Sequence, residues 1–189
     1  MKRLKKKYRQ FLLTVTISDV LRTDGLDNLP GIQPDILYNV GDNLTTIPDL
    51  PASPTTDTER VTIDDDFVIV AGKPFKKLEV TQGTGQIKGE WIGDRDGGQF
   101  KQTCEGWIKK SVAATAMFRL MANSDGYFVV TDMNGTKHSL GSLKSPAHIE
   151  MSETDGGREG EEKGPGYKFM ITAFSAVPDT LFTGAAPIA

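Results

Sequence analysis

Between Phe75 and Val177, segment after segment exchanges apolar for polar residues at every second position, the signature of strands with one buried face. Leu78 and Val80 alternate with Lys77 and Glu79, and Gln86 to Ile92 repeats the pattern. Gln99 to Ile108 follows across the Gly93–Gly98 turn. Later, Ala147, Ile149 and Met151 alternate with His148 and Glu150, and Tyr167, Phe169, Ile171, Ala173, Ser175 and Val177 form a last strand. Val61–Ile63 and Phe67–Val70 add shorter strands ahead of the Gly72-Lys73-Pro74 turn. The expectation is a mainly β chain, an antiparallel β-sandwich or barrel.

Two local signals refine this. Asn134-Gly135 separates the β-prone runs Tyr127–Thr131 and Thr136–Leu140, a pairing that predicts a hairpin with a two-residue type I′ turn. Residues 111–123 break the period of two. Ser111 is suited to an N-cap, and Ala114, Met117, Phe118 and Met121 fall at i, i+3, i+4 and i+7, so one amphipathic helix is predicted with its stripe on the sheet.

Before residue 61 the pattern changes. Pro30, Pro34, Pro48, Pro51 and Pro54 restrict themselves and the residues before them, which argues against a helix or central strand. Yet Ile32, Ile36, Leu37, Tyr38, Val40, Leu44, Ile47 and Leu50 are too many apolar side chains for a disordered linker. The expected organisation is a basic N-terminal arm and first strand (1–22), a proline-rich ordered loop or arm (23–60), a β core (61–178) and a C-terminal extension (179–189). Both arms carry apolar residues that suggest a neighbouring copy as their partner.

Charge is divided unevenly. Lys2, Arg3, Lys5, Lys6, Lys7 and Arg9 crowd the first ten positions, leaving 16 basic against 25 acidic side chains in the other 179 residues, a net of −9. Such a body repels a nucleic-acid backbone, while the arm suits phosphate or an acidic neighbour. The apolar run Phe11–Ile17 is short and threonine-interrupted, and no small-x-small cleavage site follows it, so a basic arm leading into a strand is favoured over a signal peptide. No apolar run approaches the roughly 20 residues of a membrane helix.

The residue types that carry chemistry are sparse. Cys104 is the only cysteine; Thr103-Cys104-Glu105 matches no nucleophile motif and reads as a packed strand thiol. His138 and His148 lack a partner at metal-ligand spacing and read as surface or strand-edge residues. Asp94-Arg95-Asp96-Gly97-Gly98 resembles a calcium loop, but Gln99 occupies the position that needs glycine, so a hairpin loop is preferred. Asp64, Asp65 and Asp66 are consecutive in an extended segment, where side chains alternate between faces and do not converge on a cation. Trp91 and Trp107, the aromatic platforms a sugar-binding module would use, sit in strand-like segments and are expected in the core. The reading is a structural protein, not an enzyme, with no cofactor and no metal.

Three stretches carry a resemblance: Gly89–Gly98, the Val129–Gly141 hairpin and Gly166–Phe174, set among paired strands with Gly106-Trp107 before a single helix. Over about Phe75 to Pro178 the chain resembles the major tail tube proteins of long-tailed bacteriophages and related contractile injection devices. The resemblance implies a small β-sandwich or barrel with one flanking helix. It also implies six copies closing their sheets into a ring, and rings stacking into a hollow tube through which DNA leaves the head without being gripped. The protein is then a virion tail component made in the host cytoplasm, with its own copies and other tail proteins as partners. On this reading the lumen is acidic, and Asp64, Asp65, Asp66, Glu153 and Asp155 are the candidates to line it. Lys5, Lys6, Lys7, Arg9, Ile36, Leu37, Tyr38, Leu44, Ile47, Leu181 and Phe182 are the candidates for subunit contacts. Competing readings are a capsid decoration, head-completion or tail-terminator protein, and a β-sandwich carbohydrate- or receptor-binding module.

Overall fold

The computed structural model describes residues 29–94, 97–154 and 164–188. Its elements run β1 (Ile32–Val40), β2 (Leu44–Thr46), β3 (Thr62–Ile63), β4 (Val68–Ile69), β5 (Lys76–Glu79), β6 (Gln86–Ile92) and β7 (Gln99–Lys109). They continue with α1 (Val112–Met121), β8 (Gly126–Asp132), β9 (Lys137–Leu140), β10 (His148–Thr154), β11 (Gly166–Ser175) and β12 (Leu181–Phe182). The protein is mainly β with one flanking helix. The strands form a six-stranded sheet in the order β3-β12-β9-β8-β1-β5, a four-stranded sheet in the order β10-β11-β7-β6 and a small β2-β4 pair. No sheet closes into a barrel.

The two larger sheets share a core. From the six-stranded sheet come Ile36, Leu78, Phe128, Val130 and Leu140, and from the four-stranded one Cys104, Ile108, Tyr167, Phe169, Ile171 and Ala173. The helix adds Ala114, Met117, Phe118 and Met121, the stripe its sequence period requires. Ser111 caps it by accepting from the Ala114 N–H at 3.0 Å, and Thr115 Oγ1 lies 2.6 Å from the Tyr167 hydroxyl, tying helix to sheet. Each of the larger side chains buried here contributes roughly 1.5–3 kcal/mol.

The six-stranded sheet is covered on its other face as well. In β8 the consecutive residues Tyr127, Phe128, Val129 and Val130 are all buried, so both sides of the pleat meet protein. Tyr127, Val129 and Leu37 face a second cluster built from Leu44, Ile47, Leu50, Ile63, Phe67, Ile69, Phe75, Phe182 and Ala186. Phe67 meets the Phe75 ring edge-on at 5.0 Å and tilts against Phe182 at 5.4 Å. Backbone bonds fasten the last residues across this layer: Phe67 N–H to Ala185 O at 3.0 Å, Phe75 N–H to Pro187 O at 2.8 Å and Leu181 N–H to Val61 O at 2.8 Å.

Three expectations are corrected. Proline does not exclude a central strand before residue 61, because β1 pairs with both β5 and β8. Pro34 falls where the β1–β8 register shifts between Ile32 and Ile36, an irregularity that tolerates its missing N–H, while its carbonyl accepts from Val80 at 2.7 Å. The Asn134-Gly135 hairpin forms, but only Gly135 has a positive φ, +89°. With Gly135 N–H donating to Asp132 O and Asp132 N–H to Thr136 O, the connection is a longer loop with a glycine bulge, not a two-residue I′ turn. The strand through Ser175 is also not the last: Leu181–Phe182 continues as β12, parallel to β3 and antiparallel to β9.

Candidate functional site

The four-stranded sheet differs from its neighbour in having one face without a covering layer among the described residues. Its registers run without a shift: Gln86 opposes Glu105, Lys168 opposes Trp107 and His148 opposes Thr172. Lys88, Glu90, Lys101, Glu105, Glu150 and Lys168 therefore share the outward face. Glu105 is its centre, hydrogen-bonded by Gln86 and lying 3.6 Å from Lys88 and 3.8 Å from Lys168. The Gln86 bond first, then the two ammonium groups, hold its carboxyl below the usual carboxylate range. The face is a lattice of alternating charge, not a uniformly acidic one.

The sheet also ends in two strands with no further partner among the described residues: there β6 pairs with β7 and β10 with β11, and each spans seven residues. On the inner side of these edges lie the sheet's most exposed large apolar side chains, Trp91 at 53% and Met151 at 47%. Trp91 is thus not a core residue: its strand runs past the shared core, and its ring rests edge-on against Phe100 at 5.0 Å. Trp107 is buried, but on the outward face opposite Lys168 and not among the residues of the shared core.

The second feature is a cleft of about 560 Å³ at one end of the fold. The β9–β10 and β11–β12 connections, the β6–β7 tip and the 49–52 segment converge there, presenting Gln99, Gln102, Ser139, Ser142, Lys144 and Thr180. Gln102 donates to Thr180 Oγ1 at 2.9 Å and to Val177 O at 3.1 Å, whereas the buried Ser139 hydroxyl has no partner among the described residues. Beside it, His138 is not at the surface but buried. Its Nδ1 lies 2.7 Å from Asp179 and its Nε2 3.7 Å from Asp132. Burial lowers its pKa, but the Asp179 bond and charge, with the charge of Asp132, outweigh that and leave it raised.

Asp179, His138 and Ser139 do not form a nucleophilic triad. Adjacent residues on β9 point to opposite faces, so the imidazole and the Ser139 hydroxyl do not meet. Cys104 is equally unsuited, since burial pushes its thiol up to about 12 and keeps it protonated. Among the described residues no group of three or more His, Cys, Asp or Glu is placed to hold a metal ion.

The chain matches no protein-family model, no curated protein and no solved structure.

The predicted contact residues lie mostly within the chain's own packing. Ile36 and Phe182 are buried, Leu37, Leu44 and Ile47 pack on the second cluster, Tyr38 packs on the first, and Leu181 is half-buried in β12. Lys5, Lys6, Lys7, Arg9 and Asp155 fall outside the described residues. The remaining lumen candidates do not share a patch. Asp64–Asp66 adjoin the last segment, where Asp66 accepts from the Ala185 N–H at 2.6 Å, whereas Glu153 sits on β10 and pairs with Lys110. Sequence reasoning missed the two edges of the four-stranded sheet. Their signal was present in the charged residues Lys88, Glu90 and Glu150, of the kind that guard an edge.

Proposed function

We propose that this chain is a self-assembling structural subunit of the major tail tube type. Its copies form rings that stack into a hollow virion conduit for DNA, and it has no enzymatic role. The observation that carries this reading is the asymmetry between the sheets. Most apolar residues of both described arms, though not the exposed Leu29 and Ile188, are folded onto the six-stranded sheet, while among the described residues the four-stranded sheet keeps one uncovered face and two seven-residue strands paired on one side. Unpaired edges are association sites, and two unlike edges on one subunit favour the head-to-tail contact that closes into a ring. Two sheets that share a core, with a single flanking helix, support the β-sandwich that such a subunit needs. The outward lattice of lysines and glutamates supports passage of DNA without a gripping positive field. Other tail proteins are the further partners, and the virion tail is the location.

A second reading, a binding module, is supported by the hydroxyl- and amide-lined cleft around Ser139. Negative-stain electron microscopy across a concentration series separates the two. Rings or hollow tubes with a uniform lumen support the tail tube reading, and a discrete monomer at every concentration overturns it in favour of the binding module.

A further inference from the structure

We infer that β6 of one copy pairs antiparallel with β10 of the next in a single register, with Lys88 opposite Glu150 and Glu90 opposite His148. This rests on the self-assembly reading above and names the surface that carries it.

Direction comes first. The order β10-β11-β7-β6 is antiparallel at every step, and four alternating strands leave β6 running opposite to β10. A copy added by rotation in a ring therefore presents its β10 antiparallel to the waiting β6, and the sheet continues with the same face outward.

Phase comes second. Along an antiparallel strand, alternate residues direct their N–H and C=O groups to one neighbour and then the other. Because the three internal registers contain no shift, that alternation passes unbroken from β6 to β10. Outward-bonding residues on one edge are then of the same parity, odd or even, as those on the other. Only registers that pair even with even and odd with odd satisfy both the hydrogen bonds and the facing of the side chains.

Side chains choose among the registers left. Sliding β6 so that Lys88 meets Ser152 places Glu90 against Glu150, two like charges on one face, and sets Ile87 against Glu153. Sliding it the other way places Lys88 against His148 and strips Glu90 of a partner. With Lys88 opposite Glu150, both outward pairs are complementary. On the inward side Ile87 meets the exposed Met151, and Gly89, over which the chain's own Pro178 carbonyl sits, stands opposite the buried Ile149. Lys88 then lies between its own Glu105 and the neighbour's carboxylate, extending the charge lattice across the joint.

Paired cysteines test this in the full-length chain. Residues 88 and 150 lie on opposite edges of one subunit's sheet, about 14 Å apart for three strand spacings, too far for a disulfide within one copy. The native Cys104 is fully buried and stays out of the reaction. On oxidation Lys88→Cys/Glu150→Cys should give a ladder of covalent oligomers, while Lys88→Cys/Ser152→Cys and Lys88→Cys/His148→Cys should remain mostly unlinked. Separately, Lys88→Glu and Glu150→Lys should each raise the concentration needed for assembly roughly tenfold, and their combination should return it to within about threefold of the unmodified chain. Circular dichroism confirms that each variant is folded. If light scattering shows assembly while a shifted pair, or no pair, gives the ladder, the register is wrong and the tail tube reading survives. If the unmodified chain stays monomeric at every concentration and no ladder forms, both fall.

Discussion

The six-stranded and four-stranded sheets are built from the same kind of alternating strand, yet the described residues finish one and not the other. The first is buried on both faces, and the strands at its ends are only two and four residues long. Among the described residues the second has one layer of cover and a seven-residue strand at each end. The contrast teaches that apolar residues in loops and tails, which read as surfaces awaiting a neighbour, can instead be a second covering layer. What sets the second sheet apart is a charge-alternating strand at each end that is paired on one side among the described residues.

That comparison breaks most visibly at Phe67. If the covering layer is part of the fold, Phe67→Ala should cost about 3–5 kcal/mol in denaturant unfolding, as a core phenylalanine does. A loss below about 1 kcal/mol would show a detachable arm. Next comes the seam between layer and tail. A Cβ on Gly184 lies 2.2 Å from the Asp65 carbonyl oxygen, so Gly184→Ala should destabilise by about 1–3 kcal/mol by forcing backbone apart. On the four-stranded side, Ser111→Ala removes the helix cap and should cost about 1 kcal/mol, read from the thermal midpoint.

The smallest effect is one of pH. The folded-state pKa of His138 is raised, so its stabilising contribution is complete below the unfolded value of about 6.5 and disappears as pH rises through the folded value. The stability advantage of the natural chain over Asp179→Asn should therefore be greatest in mild acid and shrink as the pH is raised. An advantage that grows with pH would contradict this placement of the imidazole.

Much of the fold was legible because one force dominated locally. The helix stripe at Ala114, Met117, Phe118 and Met121, its Ser111 cap and the β6–β7 hairpin follow from periodicity and turn chemistry. β1 was obscured by Pro34, whose rule against strands yields at a shifted register. β3 and β4 fall inside the strands expected at Val61–Ile63 and Phe67–Val70, whereas β12 has two residues and exists only through tertiary partners, which no local pattern announces. The unbroken apolar run Tyr127–Val130 did carry the missing information, since a strand buried on both faces demands a cover. The burial of His138 depends on Asp132 and Asp179 meeting across β9, a long-range event invisible in spacing. Of the candidate site, the charges on β6 and β10 were visible, but their place at opposite ends of one sheet required the topology.

The place of β12 has a consequence for the order of events during synthesis. Among the described residues β3 finds its strand partner in β12 alone, and the Thr183 hydroxyl that bonds to Ile63 is 120 residues further along the chain. At about 5–20 residues per second, Ile63 leaves the ribosome roughly 6–24 s before that partner exists. The outer layer therefore locks late, and Phe67 and Phe75 must wait through that interval before Phe182 arrives to complete their packing.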